Sequence, residues 1–414
     1  MNARRLPLTT DDVIEALGGW EGYSIEKIEV DREEGRPQVR IDLAPLPGIA
    51  RRCSGCGRTV RGIHDVTFRW VRDLSILEAE TWLWLGRVRV ACPHCGPKLE
   101  ALDWLAPYSR LTRRMAENVV RLCRVLPIKH VAEYLRLTWD TVKATDKAYL
   151  EENLGPVDLS GVEQIVMDEF AIHKGHRYAT VVVDASNQRV LWVGRGNGRE
   201  DIRPFFEQLG SQGRQRLKAV AMDMNGAYEE EVRYQCPLVE IVFDLFHVVA
   251  KYGREVVDRV RVDEANRLRD DKPARKVLKG ARWLLLRNRE NVKREDRVKL
   301  GELLRANRKL TTVYILKDDL KQLWDYVYEG AARRFWEQWY GRAMHSRIEP
   351  LKKFARRLKE YLPGILAHCR WPLHTSLLEG INNKIKVIKR MAYGYRDDDY
   401  FFLKIRAAFP GNTG

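Results

Sequence analysis

Four of the seven cysteines fall in two CxxC pairs, and this most restricts what the chain can fold into. Cys53 and Cys56 lie in CSGCGR, Cys92 and Cys95 in CPHCGP, and the 35 residues 57–91 separate them. A two-residue gap turns both thiols of a pair toward one tetrahedral ion. The glycine after each pair lets the backbone bend beneath the sulfurs. Between the pairs, VTFRWV and TWLWLGRVRV have the strand-like composition of a hairpin. We therefore expect a four-cysteine zinc ribbon over 51–105. It would hold one structural Zn2+, because four protein ligands leave no open position for chemistry. His64 and His94 lie nearby but read as non-ligands. Cys123, Cys236 and Cys369 are scattered and read as buried free thiols. The start, MNARRLPLTTDD, lacks a signal-type apolar core. No apolar run approaches the roughly 20 residues of a membrane span. The expectation is a cytoplasmic protein with no membrane partner and reduced cysteines.

Lys and Arg number 73 against 57 Asp and Glu, a net charge of +16. Such an excess points to a polyanionic partner. It is clustered: residues 251–310 hold 20 basic and 10 acidic side chains, and 341–414 hold 15 and 6. Residues 106–155 read as a helix-turn-helix. Pro127 opens a helix striped by Val131, Ala132 and Leu135, Leu137 sits in the turn, and Thr138 is an N-cap for the next helix. Trp139, Asp140, Thr141 and Lys143 would then face a DNA major groove. Arg113 and Arg114, with Arg110, Arg121 and Arg124, would meet phosphates. The plainer alternatives are a packing hairpin and a solvated basic face.

From residue 160 the pattern becomes strand, strand, strand, helix, strand, helix, strand, and then helices. EQIVMD, RYATVVVD and RVLWVG are the first three strands, and LKAVAMD and LVEIVFD the last two. This is the order of an RNase H-like fold. Asp168 and Asp223 each close an apolar strand on this reading. Neighbouring strand-end carboxylates suit phosphodiester chemistry with two divalent ions, where hard oxygen ligands favour Mg2+ or Mn2+. A lone strand-end Asp is more often a turn residue, but a matched pair shifts the balance. In SLLEGINNKIKVIKRM, Leu378, Ile381, Ile385 and Ile388 make one helical face, while Glu379, Asn383, Lys386 and Arg390 make another stripe. Glu379 is the expected third acid.

The segments DEFAIHKGHRYATVVVD, AMDMNGAY, FDLFHVVAKY and SLLEGINNKIKVIKRMAYGYRD resemble bacterial insertion-sequence transposases of the ISL-three family. The resemblance spans essentially the whole chain. It implies a DDE transposase that binds terminal inverted repeats, cleaves the transposon ends and joins them to target DNA, with Asp168, Asp223 and Glu379 holding two Mg2+ or Mn2+. Lys386, Lys389 and Arg390 would position phosphates. A homodimer or larger assembly on double-stranded DNA follows from pairing two ends, in a bacterial cytoplasm at the nucleoid. Related transposases often carry D-x-x-H or C-x-x-H after the second Asp, so Asp244 and His247 are expected to support the acids, a satisfied buried histidine being the alternative for His247. Glu169, pointing to the opposite face, and Asp184, in a turn, are competing acids. Asp168 to Asp223 spans 55 residues and Asp223 to Glu379 spans 156. The excess marks a helical insertion, 251–370, of the type that contacts end DNA in similar transposases. Among Trp336, Trp339, Tyr340 and Trp371 a base-stacking residue is conceivable, though core packing suits most of them.

The expected fold is multi-domain α+β. An N-terminal helix/hairpin segment (1–50) precedes the zinc ribbon (51–105) and the helix-turn-helix (106–155). The RNase H-like core (160–250) is interrupted by the insertion (251–370) and completed by 371–414. Two other functions are compatible with these elements: a DNA-binding regulator with an inactive core, and a structure-selective endonuclease.

Overall fold

The computed structural model describes residues 14, 18–32, 37–173, 175, 177–287, 291–373 and 376–411, the side chains of 376–378 apart. The chain forms two compact units, Met1–Glu152 and Asn153–Gly414, each treated by itself. The helix expected in DDVIEALG lies almost wholly outside the described residues.

In the N-terminal unit, strands β1 (Tyr23–Asp31), β2 (Gln38–Pro45), β5 (Ile63–Ile76) and β6 (Ala79–Cys92) form a sheet in the order β1-β2-β6-β5. Strand β7 (Gly96–Leu99) pairs with β6, while β3 (Arg51–Arg52) and β4 (Thr59–Val60) make a separate small ladder. The two hairpins expected from sequence are present, but they are one structure: β2 runs parallel to β6, with Ile41 opposite Leu83. Residue 50 is thus not a boundary within this unit. Alternation along the strands buries Ile41, Leu43, Val71, Leu83 and Leu85, capped by Leu105 and Trp20.

Three helices follow: α1 (Arg113–Cys123), α2 (Ile128–Leu135) and α3 (Trp139–Leu154). Thr112 caps α1, accepting from the Met115 N–H, and Thr138 caps α3, accepting from the Thr141 N–H at 3.2 Å. Helix α2 ends at Arg136, whose left-handed φ of 52° turns the chain sharply. Met115, Val119, Val131, Ala132 and Val142 make the small shared core.

The second unit contains a sheet in the order β10-β9-β8-β11-β12, formed by β8 (Gln164–His173), β9 (Arg177–Asp184), β10 (Val190–Arg195), β11 (Ala219–Met222) and β12 (Glu240–Phe243). The first three are antiparallel, and β11 lies parallel between β8 and β12. Helices α4 (Arg199–Arg216) and α5 (Gly226–Gln235) make the crossovers. One expectation is corrected: β8 does not end at Asp168 but runs five residues further, to His173. Pairing with β9 carries it on, Asp168 lying opposite Val181.

After β12 the chain is helical. Helix α6 (Leu245–Tyr252) passes through a π-helical turn, Gly253–Asp258, into α7 (Arg259–Arg267). Then come α8 (Lys272–Gly280), α9 (Arg282–Leu286), α10 (Arg294–Ala306), α11 (Arg308–Lys321), α12 (Glu329–His345), α13 (Glu349–Glu360), α14 (Leu362–Leu366), α15 (Ser376–Met391) and α16 (Asp398–Ala408). The helices over 251–370 share one continuous core with the sheet, from Val162 and Met222 through Tyr252 and Val313 to Leu366. Trp336 and Trp339 belong to that core, and the Trp339 indole donates to the Leu316 carbonyl. Tyr340 packs on Trp336. No helix among the described residues is long and apolar enough to cross a membrane.

Candidate active site and DNA-reading elements

The four cysteines converge. The sulfurs of Cys53, Cys56, Cys92 and Cys95 lie within 4.8 Å of one another, with Cys56 and Cys92 at 3.7 Å. A tetrahedron with Zn–S bonds of about 2.3 Å has edges of about 3.8 Å, so the spacing fits zinc. Gly57 and Gly96, at φ of 72° and 67°, make the turn after each pair. Backbone N–H groups of His94 and Cys95 point at the Cys92 sulfur and bring that thiol down to about 7. Cys95 is pushed up to about 12, chiefly by its hydrogen bond with Cys56 and by burial. Four thiolates therefore need a cation to coexist. His94 instead pairs with Arg58, and His64 with Asp65.

Two sheet carboxylates fix the helix-turn-helix. Asp73, fully buried, accepts from the Trp20 indole (2.9 Å), the Thr112 hydroxyl (2.6 Å) and both Nε (2.6 Å) and Nη2 of Arg114. Glu80 accepts from Arg136 at 3.0 Å. Arg114, expected to meet phosphate, is thus committed to Asp73, a choice sequence could not reveal because the partners are 41 residues apart. Arg113 is exposed, its Nε donating to the Asp103 carbonyl. Trp139 projects outward, 48% exposed, with the Lys143 ammonium 5.6 Å from its ring centre. Thr141 lies beside Thr138, their hydroxyls 2.8 Å apart.

In the second unit, register sets the acids in a row. Ala221 is opposite both Val166 and Val242. Two residues further on come Asp168, within β8, and Asp223 and Asp244, the residues just past the ends of β11 and β12. Asp168 lies within its strand because β8 outruns the short β11. It is 7% exposed, and burial pushes its carboxyl up to about 6 despite the charge of His247 and hydrogen bonds from the Glu169 N–H and Asn382. Asp223 accepts from the Met224 N–H at 2.5 Å. Asp244 caps α6 through the Phe246 N–H and accepts from His247 Nδ1 at 3.0 Å. Burial alone would lower the His247 imidazole. The hydrogen bond to Asp244 and the charges of Asp223, Asp168 and Asp244 outweigh it and push it up to about 9.

Glu379 is exposed on the first turn of α15, whose Ile381 and Ile385 bury against β8 and β9. The residue from this helix that touches the row is Asn382, whose amide donates to Asp168 Oδ2. It stands one turn beyond Glu379. Sequence reading passed it over for Asn383, which is exposed. Lys386 and Arg390 are exposed, while Lys389 donates to the Ala171 carbonyl at 2.9 Å. The oxygens of Asp168, Asp223 and Glu379 do not converge as the sulfurs do. Among the described residues the cysteines are the one such cluster of His, Cys, Asp or Glu ligand atoms. Glu169 points the other way, to Asn197, and Asp184 holds the turn at Ser186.

Comparison with known proteins bears on the whole chain. The ISL3 DDE profile, described as a transposase, matches residues 165–405. The helix-turn-helix domain of transposase family ISL3 matches residues 100–150. The transposase for insertion sequence element IS1001 of Bordetella parapertussis is 54% identical over 97% of this chain and 98% of its own. The transposase for IS1557 of Mycobacterium tuberculosis is 27% identical over 90% of this chain and 89% of its own. These matches do not favour a regulator with an inactive core. The chain belongs to the ISL3 family of insertion-sequence transposases, metal-dependent enzymes that cleave DNA.

Proposed function

We propose that this transposase binds the terminal inverted repeats of its element, cleaves the phosphodiester at each end and joins the freed 3′-hydroxyl to target DNA. The observation that carries the site assignment is that Asp168 on β8 and Asp223 and Asp244 at the ends of β11 and β12 come together at one edge of three paired strands, with α15 reaching Asp168 through Asn382. The alternation of three antiparallel strands with two parallel ones supports reading this sheet as an RNase H-like core. The donor set fits hard divalent cations. It is all oxygen, and among the described residues no arginine or lysine is hydrogen-bonded to Asp168. Asp168, Asp223 and Glu379 would hold two Mg2+ or Mn2+. Bound there, such ions stabilise charge on the attacking and leaving oxygens.

The chain's own residues supply the rest. Asn382 orients the Asp168 carboxylate, and Asp244 holds the His247 imidazolium facing the acids. Lys386 and Arg390 receive backbone phosphates. Cys53, Cys56, Cys92 and Cys95 would bind one structural zinc in a ribbon that stiffens the sheet carrying the helix-turn-helix. From α3, Trp139, Thr141 and Lys143 would read the end sequence. Arg113 contributes charge, but Arg114 serves through its anchor on Asp73. Pairing two ends calls for a homodimer or larger assembly, acting on DNA in the cytoplasm.

The test is a cleavage and joining assay with labelled end DNA and Mg2+ or Mn2+, comparing the wild type with Asp168→Asn and Glu379→Gln. We expect both variants to bind ends but to lose cleavage by about three orders of magnitude, the several kcal/mol that metal-assisted charge stabilisation supplies. Retained strand transfer in either variant would remove that residue from the site.

A further inference from the structure

Strands β5 and β6 place two arginines on the core-facing side of the N-terminal sheet. Arg69 is opposite Leu85, and Arg87 is two residues along β6 from Leu85, so the two are diagonal neighbours on one face. Arg87 is fully buried. Its Nη2 donates to the Glu100 carbonyl at 3.1 Å, but its Nε and Nη1 are buried with no partner. Arg69 is half-buried, and its Nε and Nη2 are likewise buried and unpartnered. Arg110 is exposed, its carbonyl accepts from the Arg72 N–H at 2.8 Å, and its charge acts on Arg69. The Glu100 carboxylate, whose charge acts on Arg87, is already taken by Arg51 at 2.7 Å and by the Tyr23 hydroxyl. Further along the same face, Asp65 is held by Arg89 at 3.1 Å.

Buried guanidinium N–H groups without acceptors are costly, and placing like charges side by side adds to the cost. The strain is visible in the groups themselves. Burial, and then the charges of Arg87 and Arg110, hold the Arg69 guanidinium below its ordinary value, and burial does the same to Arg87. Arg69 and Arg87 thus share one face, and among the described residues no carboxylate is hydrogen-bonded to either. What such a pair lacks is an anion. Arg110 is exposed and Arg69 half-buried, so a surface ligand can reach them.

We propose that Arg69, Arg87 and Arg110 form a phosphate-binding cleft for the DNA backbone, separate from the helix-turn-helix. Arg69 and Arg110 meet the phosphodiester, and Arg87 adds field from the low-dielectric side beneath them. The proposal rests on the DNA-binding reading above. It assigns to the ribbon sheet a sequence-independent contact that fixes register while α3 reads bases.

The experiment measures affinity against salt for full-length, zinc-loaded protein on two duplexes, one carrying the element's end and one unrelated. Arg69→Ala and Arg110→Ala are compared with the wild type and with Trp139→Ala, and thermal unfolding is followed in parallel. Each arginine variant is expected to reduce the salt slope by about 1 and to weaken both duplexes alike. Arg69→Ala is expected to melt no lower than the wild type, because it relieves repulsion. Trp139→Ala instead lowers the preference for the end. Wild-type affinity and slope in both arginine variants would overturn the cleft. So would an Arg69→Ala protein whose lost affinity follows a lowered melting temperature. Failure of the wild type to prefer the end would count against the proposed function, while the unrelated duplex still reads the cleft.

Discussion

Four thiols and three carboxylates are the two candidate metal-binding sets of this molecule, and they are built to different degrees. The sulfurs already lie at the edges of a tetrahedron, whereas Asp168, Asp223 and Glu379 do not converge. The difference follows from how each set is made. Each cysteine pair spans one turn, with a glycine at positive φ behind it, so local backbone geometry does most of the aiming. The carboxylates come from two strands and a helix distant in sequence, and they repel one another. Metal is thus expected to be part of folding at the first site and part of chemistry at the second. The largest predicted effect separates the two. Removing zinc, by chelation or by Cys92→Ser, is expected to unfold the ribbon, since structural zinc sites contribute on the order of 10 kcal/mol. Hydrogen exchange should show lost protection through β5 to β7, with the second unit protected as before. Protection retained after verified metal loss would make the thiol cluster dispensable for the fold.

The N-terminal unit also contains a polar centre that resembles a site but works as an anchor. Asp73 collects donors from Trp20, Thr112 and Arg114 and so joins the sheet to the first helix of the helix-turn-helix. Asp73→Ala leaves those donors buried or half-buried without their acceptor and is expected to cost about 3 kcal/mol. Denaturant unfolding of the purified protein measures this, and end binding should weaken with it. A change below about 1 kcal/mol would mean that the helices dock through Met115, Val119 and Val131 alone.

What the sequence made legible was local or periodic. The CxxC spacing, the Thr138 cap and the strand–helix alternation all express themselves within a few residues. What it hid depended on partners far away. Arg114 looks like any other basic helix residue until Asp73 is seen beneath it. Asn382 and Asn383 are indistinguishable by composition, and the phase of α15 against β8 decides which of them meets Asp168. The sequence reading ends β8 too early because the acidic pair Asp168-Glu169 interrupts the apolar run. Its continuation is set by pairing with Arg177–Thr180 on β9. The acids were visible as types at strand ends, but the row that includes Asp244 required the register.

Two carboxylates within the second unit sharpen the contrast between anchor and site. Glu231 accepts from Arg199 at 2.8 Å and from Arg203 at 3.0 Å. Burial would raise it, but hydrogen bonds from Arg203, Gln235 and Arg199 outweigh that and bring it down to about 2. Among the described residues no such cation is bonded to Asp168, which burial pushes up to about 6. The signs are opposite. Glu231 contributes stability above its ordinary carboxylate range, and that contribution is lost as pH falls toward 2. Asp168 costs nothing at low pH; its destabilisation grows as pH rises from the ordinary carboxylate value of 3.8 to about 6 and is constant above that. Asp168→Asn is therefore expected to stabilise the protein at pH 8 in metal-free buffer by about 1–3 kcal/mol. At pH 4 it should have little effect. Thermal unfolding at the two pH values checks this, and a destabilised variant at pH 8 would mean that Asp168 is a structural acid.

The smallest effect concerns the residue that links the helix to the row. Asn382 acts on the site by donating to Asp168, so it is a positioning residue. Asn382→Ala is expected to raise the Mg2+ or Mn2+ concentration for half-maximal cleavage by about 10- to 100-fold, the usual consequence of removing a group that orients a metal ligand. Saturating metal should restore most of the rate, and the melting temperature should stay unchanged. That combination distinguishes positioning from packing, because a packing defect lowers the melting temperature and is not rescued by metal. A variant that needs no more metal than the wild type would leave Asp168 oriented by the Glu169 N–H at 2.8 Å alone. The acids would then be as locally determined as the thiols, and the contrast between the two sets would lose its physical basis.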